Sequence, residues 1–515
     1  MHVKDQLMIG EKSFSLFDHT SSAMLKKWVK LAAYLIMLIA IVLKFKLFLE
    51  CRDLFIDEIN LSRNIITLPF HELFGNLLHH QHAPPFLLFI IKGLTILFGI
   101  TEYSLRSIPL VASLFSLILF YKLSIGFIKN WAILFPICLF GFSIYIMEYS
   151  VSVKQYSTDI FFTLAFVYWT LKLDLENVKA FLIFVIAASL ALWFSMPFIF
   201  TLASIGFYLL LTKSKKPFDE PFIKCLIMGA CWLISFGILY IVNIKGSLES
   251  DVIISYHQRD FIPFPSTFEK LIKFKDLIIS VFRSMVGKTT VPILFSIMLF
   301  FLAFAKCWQQ KKAELLLLIG PFFLSIIASM LGYYAFAVRL SLFFLPLLMI
   351  MMGIGLGTLI TQTNKLKKTP RILIATFLAG LTLLALQRNS GIAYLFKPFH
   401  QVQTKNLIQE LSTLRKPTEA LFVSLNAQPA YLFYTKLHKN PLPNIERNVF
   451  LAEWDSNYAE AAKSFKAQGI KRAWFFDAHS FGADKARITK ERDAVGKILN
   501  HLSDKEANLY YLELQ

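Results

Sequence analysis

Long apolar runs recur along this chain, and they leave few folds open to it. A membrane-crossing helix needs about 20 mostly apolar residues. Runs near that length occur at 31–49, 106–121, 131–147, 159–173, 180–196, 197–212, 223–243, 291–305, 314–332, 340–360 and 372–388. These eleven runs predict an all-α polytopic membrane protein with about eleven transmembrane helices. The 515 residues are 56% hydrophobic and only 17% charged, with 52 Phe, where a soluble domain carries roughly a quarter charged residues. A soluble enzyme, a disordered chain and a small disulfide scaffold are thereby excluded. The five cysteines show no paired spacing for a disulfide framework or a zinc site.

The 53 basic and 34 acidic residues give a net charge of +19. The basic residues sit in short clusters between apolar runs, which argues against a nucleic-acid partner. The clusters are Lys122 with Lys129, Lys172 with Lys179, Lys213 to Lys216, Lys306 to Lys312, and Lys365 to Arg371. They fall at every second connection. The positive-inside rule then sets a cytoplasmic N-terminus (1–30), a membrane region (31–388) and an outward tail (389–515). The first run reads as a retained span, because some thirty polar residues precede it and no small-residue cleavage site follows. The stretch 86–100 is about 15 residues, short for a span, and counting it would break the charge alternation. It reads as interfacial or re-entrant on the outer side. In the tail, strands are expected at 420–425, 472–476 and 508–514 and helices at 458–468 and 485–502. That alternation suggests a small α/β domain.

Ionisable groups at membrane depth are costly, so their positions are informative. The outward loop 50–85 holds Asp57-Glu58, Arg63, His71, Glu72 and His79-His80-Gln81-His82-Ala83-Pro84-Pro85. An adjacent acidic pair here supplies a general base, holds a divalent cation, or is simply solvated. The histidine cluster matches no standard helical ligand spacing. A second place is Glu148 to Asp159, with Lys154, Tyr156 and Asp159 at the mouth of a helix. There Tyr156 and Asp159 share a face as i,i+3 neighbours. Lys154 suits a phosphate and Asp159 a nucleophile or metal, although basic and aromatic residues also snorkel at interfaces. The third place is Tyr333 to Arg339. Arg339 abuts an apolar run, and its guanidinium fits either phosphate oxygens or a neighbouring carboxylate. The loop 246–290, with Tyr256, His257, Arg259 and Asp260, could shape a substrate cleft.

In order, these segments resemble the GT-C class of membrane glycosyltransferases, in the branch of the dolichyl-phosphate-mannose protein mannosyltransferases and aminoarabinose lipid A transferases. The residues that carry the resemblance are Asp57-Glu58, His82-Ala-Pro-Pro85 with the apolar stretch that follows, and Thr101-Glu102-Tyr103-Ser104-Leu105-Arg106-Ser107-Ile108-Pro109. They continue with Tyr149-Ser150, Lys154-Gln155-Tyr156-Ser157, Asp159, Trp193 to Phe198, and Arg339 to Pro346. Together they cover roughly the first 360 residues.

The resemblance implies transfer of a sugar from a polyprenyl-phosphate donor to a lipid, glycan or protein acceptor on the outer face of the membrane. It assigns Asp57 as catalytic base or acceptor-orienting group, Glu58 as its support and Asp159 as a second acid. Lys154 and Arg339, with Tyr156 and Arg106, become candidates for the donor and its phosphate. The aminoarabinose branch has Glu-Lys-Pro where this chain has His82-Ala83-Pro84-Pro85, so His82 is the candidate for that contact, and a hexose or pentose donor fits as well as aminoarabinose. The resemblance also makes a divalent cation, Mg or Mn, the cofactor to look for, and a prokaryotic plasma membrane the expected location. A transporter or flippase of a lipid-linked sugar is the competing expectation. It would show repeated halves with broken helices, and the sequence shows no such halves.

Overall fold

The computed structural model describes residues 23–248, 251–388, 391–399, 402–416, 418–442, 448–453, 458–480 and 483–515. Most of the expected cytoplasmic N-terminus, residues 1–22, lies outside them.

The helix α1 (Ala23–Leu49) shows why the apolar runs fold as they do. Ala33, Met37, Ala40, Leu43 and Leu47 are spaced at helical intervals and buried, whereas Leu31, Leu35, Leu38, Val42 and Phe45 are exposed. A helix that is apolar on both its packed and its open face suits a lipid surrounding.

Among the described residues, six helices are long and apolar enough to cross a membrane: Lys26–Leu49, Glu102–Phe127, Glu220–Ile244, Thr290–Gln310, Lys312–Met330 and Leu345–Thr363. Several of the other expected spans fall on shorter helices, while 372–388 lies within the 21-residue helix Lys368–Arg388. Val178–Ala191 has 14 residues and rises only ~21 Å, against a hydrocarbon core of about 30 Å. The run 131–147 is not one helix. It breaks at Ser143, where ψ turns to 124°, between Leu134–Phe142 and Ile144–Ser150.

The chain divides into two compact units. The first comprises the described residues up to Lys44, Pro109–Ser150 and Gln155–Leu395. Helix Leu345–Thr363 is buried along most of its length there. Its Gly355 lies so close to the Leu299 carbonyl that a Cβ would collide with the backbone of helix Thr290–Gln310. Small residues at such crossings let helix backbones meet.

The second unit comprises Phe45–Ile108, Val151–Lys154 and Phe396–Gln515. It therefore joins three membrane-region segments to the tail: the loop after α1 with the helices α2 (Ile56–Thr67) and α3 (Pro85–Phe98), the first turns of α4 (Glu102–Phe127), and residues 151–154. The 14 residues of α3 match the short stretch expected at 86–100.

The tail carries a five-stranded sheet in the order β2-β1-β3-β5-β4. Its strands are β1 (Ala420–Val423), β2 (Val449–Leu451), β3 (Arg472–Ala478), β4 (Gly496–Asp504) and β5 (Ala507–Leu514). β1 pairs in parallel with β2 and β3, and β5 runs antiparallel to β3 and β4. All four residues of β1 are buried, as suits a strand covered on both faces. Phe422 and Phe475 pack with Tyr458, Ala461 and Phe465 of helix Tyr458–Ala467. The helix expected across 485–502 stops at Val495, and its second half is β4 instead. Gly496 is the reason: it sits against the Glu513 carbonyl of β5, where a side chain would not fit. The β4–β5 hairpin turns on Lys505 and Glu506, both at positive φ, as tight hairpins require.

Candidate active site

The adjacent acids Asp57 and Glu58 open α2, and the fold treats them differently. Consecutive helical residues point about 100° apart, so one can face inward while the other does not. Glu58 is the inward one, 3% exposed. Its carboxylate accepts from Arg52 Nη1 at 2.7 Å, from Arg106 Nε and Nη2 at 3.1 Å each, and from the Val153 N–H at 2.9 Å. The Phe55 N–H closes the helix start onto it at 3.1 Å. Burial pushes this carboxyl up, but the guanidinium groups of Arg106 and then Arg52 outweigh it and hold it at about 2.

The two arginines make further contacts. Arg52 also donates to the Val151 carbonyl and to Ser152 Oγ, and it lies over the Phe399 ring at 4.9 Å. Arg106 also donates to the carbonyls of Arg52 at 2.6 Å and Asp53 at 3.2 Å. Arg106, expected to contact a lipid phosphate, is instead 2% exposed and ties α4 to the loop after α1. The Arg52–Glu58–Arg106 knot thus locks three distant chain segments around the first turn of α2. Asp57 stands half-buried beside it, in the first turn, where the helix dipole favours a negative charge.

A second set of contacts binds the tail to the same frame. Asp53 Oδ2 accepts from the backbone N–H groups of Thr404 at 2.5 Å and Lys405 at 2.8 Å, at the start of helix Lys405–Leu414. Leu54 N–H donates to the Tyr434 hydroxyl at 2.8 Å. Glu102 pairs with Lys405 and, at 3.1 Å, with His438.

The hydrogen bond to Glu102 raises His438 above its ordinary 6.5, against a burial that lowers it. A folded-state pKa that is raised stabilises fully below the unfolded value and fades as pH climbs through the folded one. We therefore expect the melting temperature of wild type to lose a margin above pH 6.5 that His438→Gln lacks. Parallel melting profiles of the two proteins from pH 5.5 to 8.5 would count against this.

The loop before α3 reaches Lys154. Asn64 clamps Leu78 by two hydrogen bonds, 2.7 and 3.0 Å. His79 and His80 then turn the chain at φ 59° and 53°, and Gln81 Oε1 accepts from Lys154 Nζ at 3.0 Å. Burial pushes His82 down to about 4. At neutral pH it offers an N–H rather than the charge expected of a lysine substitute.

Of the residues singled out in the sequence, Asp57, Glu58, His82, Arg106 and Lys154 belong to the second unit, and Tyr156, Asp159 and Arg339 to the first. Asp159, 4% exposed, opens helix Tyr156–Thr170 with its Oδ1 unpartnered among the described residues. Tyr156 packs on Tyr149, ring centroids 4.5 Å apart. Arg339 lies over Tyr256 at 5.5 Å, next to the His257–Asp260 pair at 3.2 Å. Sequence reasoning missed Arg52, Asp53, Lys405 and His438. Arg52-Asp53 directly follow the first span, which was the one available signal.

Among the described residues no group of three or more His, Cys, Asp or Glu side chains converges as a cation site.

The model of the dolichyl-phosphate-mannose-protein mannosyltransferase family matches residues 82–240. No curated protein sequence matches the chain significantly. Among solved structures, the archaeal oligosaccharyltransferase AglB from Archaeoglobus fulgidus, in complex with an inhibitory peptide and a dolichol-phosphate, aligns with TM-score 0.51 and 11% identity. That alignment covers 95% of this chain and 74% of AglB. ArnT from Cupriavidus metallidurans bound to undecaprenyl phosphate aligns with TM-score 0.48 and 12% identity, over 95% of this chain and 98% of ArnT. The AglB likeness gives the chain the GT-C fold. Within that class its resemblance is to the mannosyltransferase branch, carried by the matched segment 82–240. The comparisons lend no support to a flippase.

Proposed function

We propose that the protein is an integral-membrane glycosyltransferase. It moves a sugar from a polyprenyl-phosphate donor to a lipid, glycan or protein acceptor on the outer face of a plasma membrane. The observation that carries this reading is Asp57, presented at a helix start by a buried ionic knot, in a chain of GT-C fold. The eleven-span topology, with a cytoplasmic N-terminus and an outward tail, belongs to the same proposal, as does a hexosyl or pentosyl donor.

In the proposed step Asp57 takes the proton of the acceptor as its oxygen attacks the anomeric carbon. The bond from that carbon to the phosphate oxygen breaks, the electrons stay on the phosphate, and the configuration inverts. The leaving group is already an anion, so a cation can stabilise it without a strong general acid. Lys154 is the proposed cation. Arg339, Tyr156 and Asp159 are separate proposals, each to be tested by its own substitution.

The experiment is donor consumption by purified protein in nanodiscs, with polyprenyl phosphates carrying hexoses, pentoses or aminoarabinose, each offered together with lipid, glycan and peptide acceptors. Consumption of one donor, with release of polyprenyl phosphate, is the expected result. A wild type that consumes none of them overturns the reading.

A further inference from the structure

One buried histidine has no part in the frame described above. His479 follows the last residue of β3 and is 4% exposed. Neither ring nitrogen has a hydrogen-bond partner among the described residues. Its backbone is left-handed, at φ 59°. A side chain with a Cβ is disfavoured there, and a buried polar group without a partner is disfavoured as well. Strain of this kind gathers where a residue serves something other than stability.

Its surroundings indicate what it serves. The ring stands edge-on to Phe55, with centroids 5.5 Å apart and planes at 84°. Phe55 is the residue immediately before α2, two positions from Asp57. The Asp57 carboxylate acts electrostatically on the imidazole. The carboxyl ends of the parallel strands β1 and β3 meet here, and open α/β sheets receive ligands at such ends.

We propose that His479 of the tail is a substrate-binding residue of the Asp57 site, holding the acceptor beside Asp57 by a hydrogen bond. The proposal rests on the transferase reading above. Burial pushes the imidazole down to about 4, so at neutral pH it presents one N–H and one lone pair. A carboxylate and a neutral imidazole can together accept hydrogens from a hydroxyl-bearing ligand. During transfer the hydroxyl proton goes to Asp57 while the acceptor oxygen bonds to the anomeric carbon and the carrier phosphate leaves. His479 ends the step in the protonation state in which it began.

The test uses the full chain in nanodiscs. Histidine side-chain NMR follows the imidazole titration, with the His479 signal identified by its loss in His479→Asn. The expected result is that Asp57→Asn moves the His479 titration to lower pH, since the carboxylate raises it. His479→Gly, which suits the left-handed backbone, is expected to melt at or above wild type. His479→Asn is expected to lose at least about tenfold in consumption of whichever donor wild type uses. A titration indifferent to Asp57→Asn overturns the pairing. A His479→Gly protein that melts well below wild type makes the residue structural, and this too overturns the proposal. If wild type turns over a donor and His479→Asn matches it, the binding role of His479 fails while the transferase reading stands. If wild type consumes no donor, the transferase reading fails and takes the acceptor role with it, whatever the titration shows.

Discussion

Asp57→Asn is expected to lower sugar transfer by about a thousandfold, within the ~10²–10⁴ that a positioned general base contributes, and to leave the melting temperature nearly unchanged. Both halves follow from where the residue sits. Asp57 occupies the first turn of α2, and the buried Arg52 and Arg106 ion pairs that lock that turn are made by Glu58. Asparagine keeps the volume and tolerates a helix start. It gives up the favourable interaction of a charge with the helix dipole, worth about 0.3–1 kcal/mol. What disappears is the group that takes a proton. The loss should therefore fall on kcat with saturating donor, and Asp57→Glu should recover part of it. Donor consumption and thermal melting of the same nanodisc preparations decide the matter. Equal turnover in Asp57→Asn and wild type would remove Asp57 from the chemistry.

The membrane character of this chain could be read from its sequence because lipid imposes a one-dimensional rule. A run of apolar residues suffices, as 31–49 and 223–243 show in helices Lys26–Leu49 and Glu220–Ile244. Helix breaks inside apolar sequence follow no such rule. Nothing in the run 131–147 marks Ser143 as the point where the backbone leaves the helix. In the tail, polar residues around 496–504 looked helical because β4 is an edge strand with most side chains exposed, and so lacks a clean alternating pattern. The Asp57-Glu58 pair was legible as a pair, but the division of labour within it was not. That division depends on Arg106, 48 positions away, and on the Val153 amide, 95 positions away. His479 was invisible for the same reason. A lone histidine after a strand carries no signal until the fold sets it against Phe55.

Glu58→Ala is expected to cost about 3–5 kcal/mol of stability, the penalty for leaving a buried charge without its counter-ion. Here two guanidinium groups are stranded, each with a side chain no more than 3% exposed. The pH dependence has a definite sign. The Glu58 carboxyl is held at about 2 in the folded protein against an ordinary 4.5. Its contribution is therefore complete above pH 4.5 and is lost as pH falls from there towards 2. Wild type should lose melting temperature across that window more steeply than Glu58→Ala, which has nothing there to titrate.

Adding Arg106→Met to Glu58→Ala should return part of the loss, because removing the second charge removes a stranded partner. The two substitutions will not be additive, as expected for groups in direct contact. Activity will fall in Glu58→Ala as well, since the turn that presents Asp57 loses its lock. The order of effects separates the two acids, however. At position 57 activity falls while melting holds, and at position 58 melting falls first and activity follows. Equal stability of Glu58→Ala and wild type would mean that the knot at Arg52 and Arg106 does not hold this turn, and the structural basis for Asp57 as the presented acid would go with it.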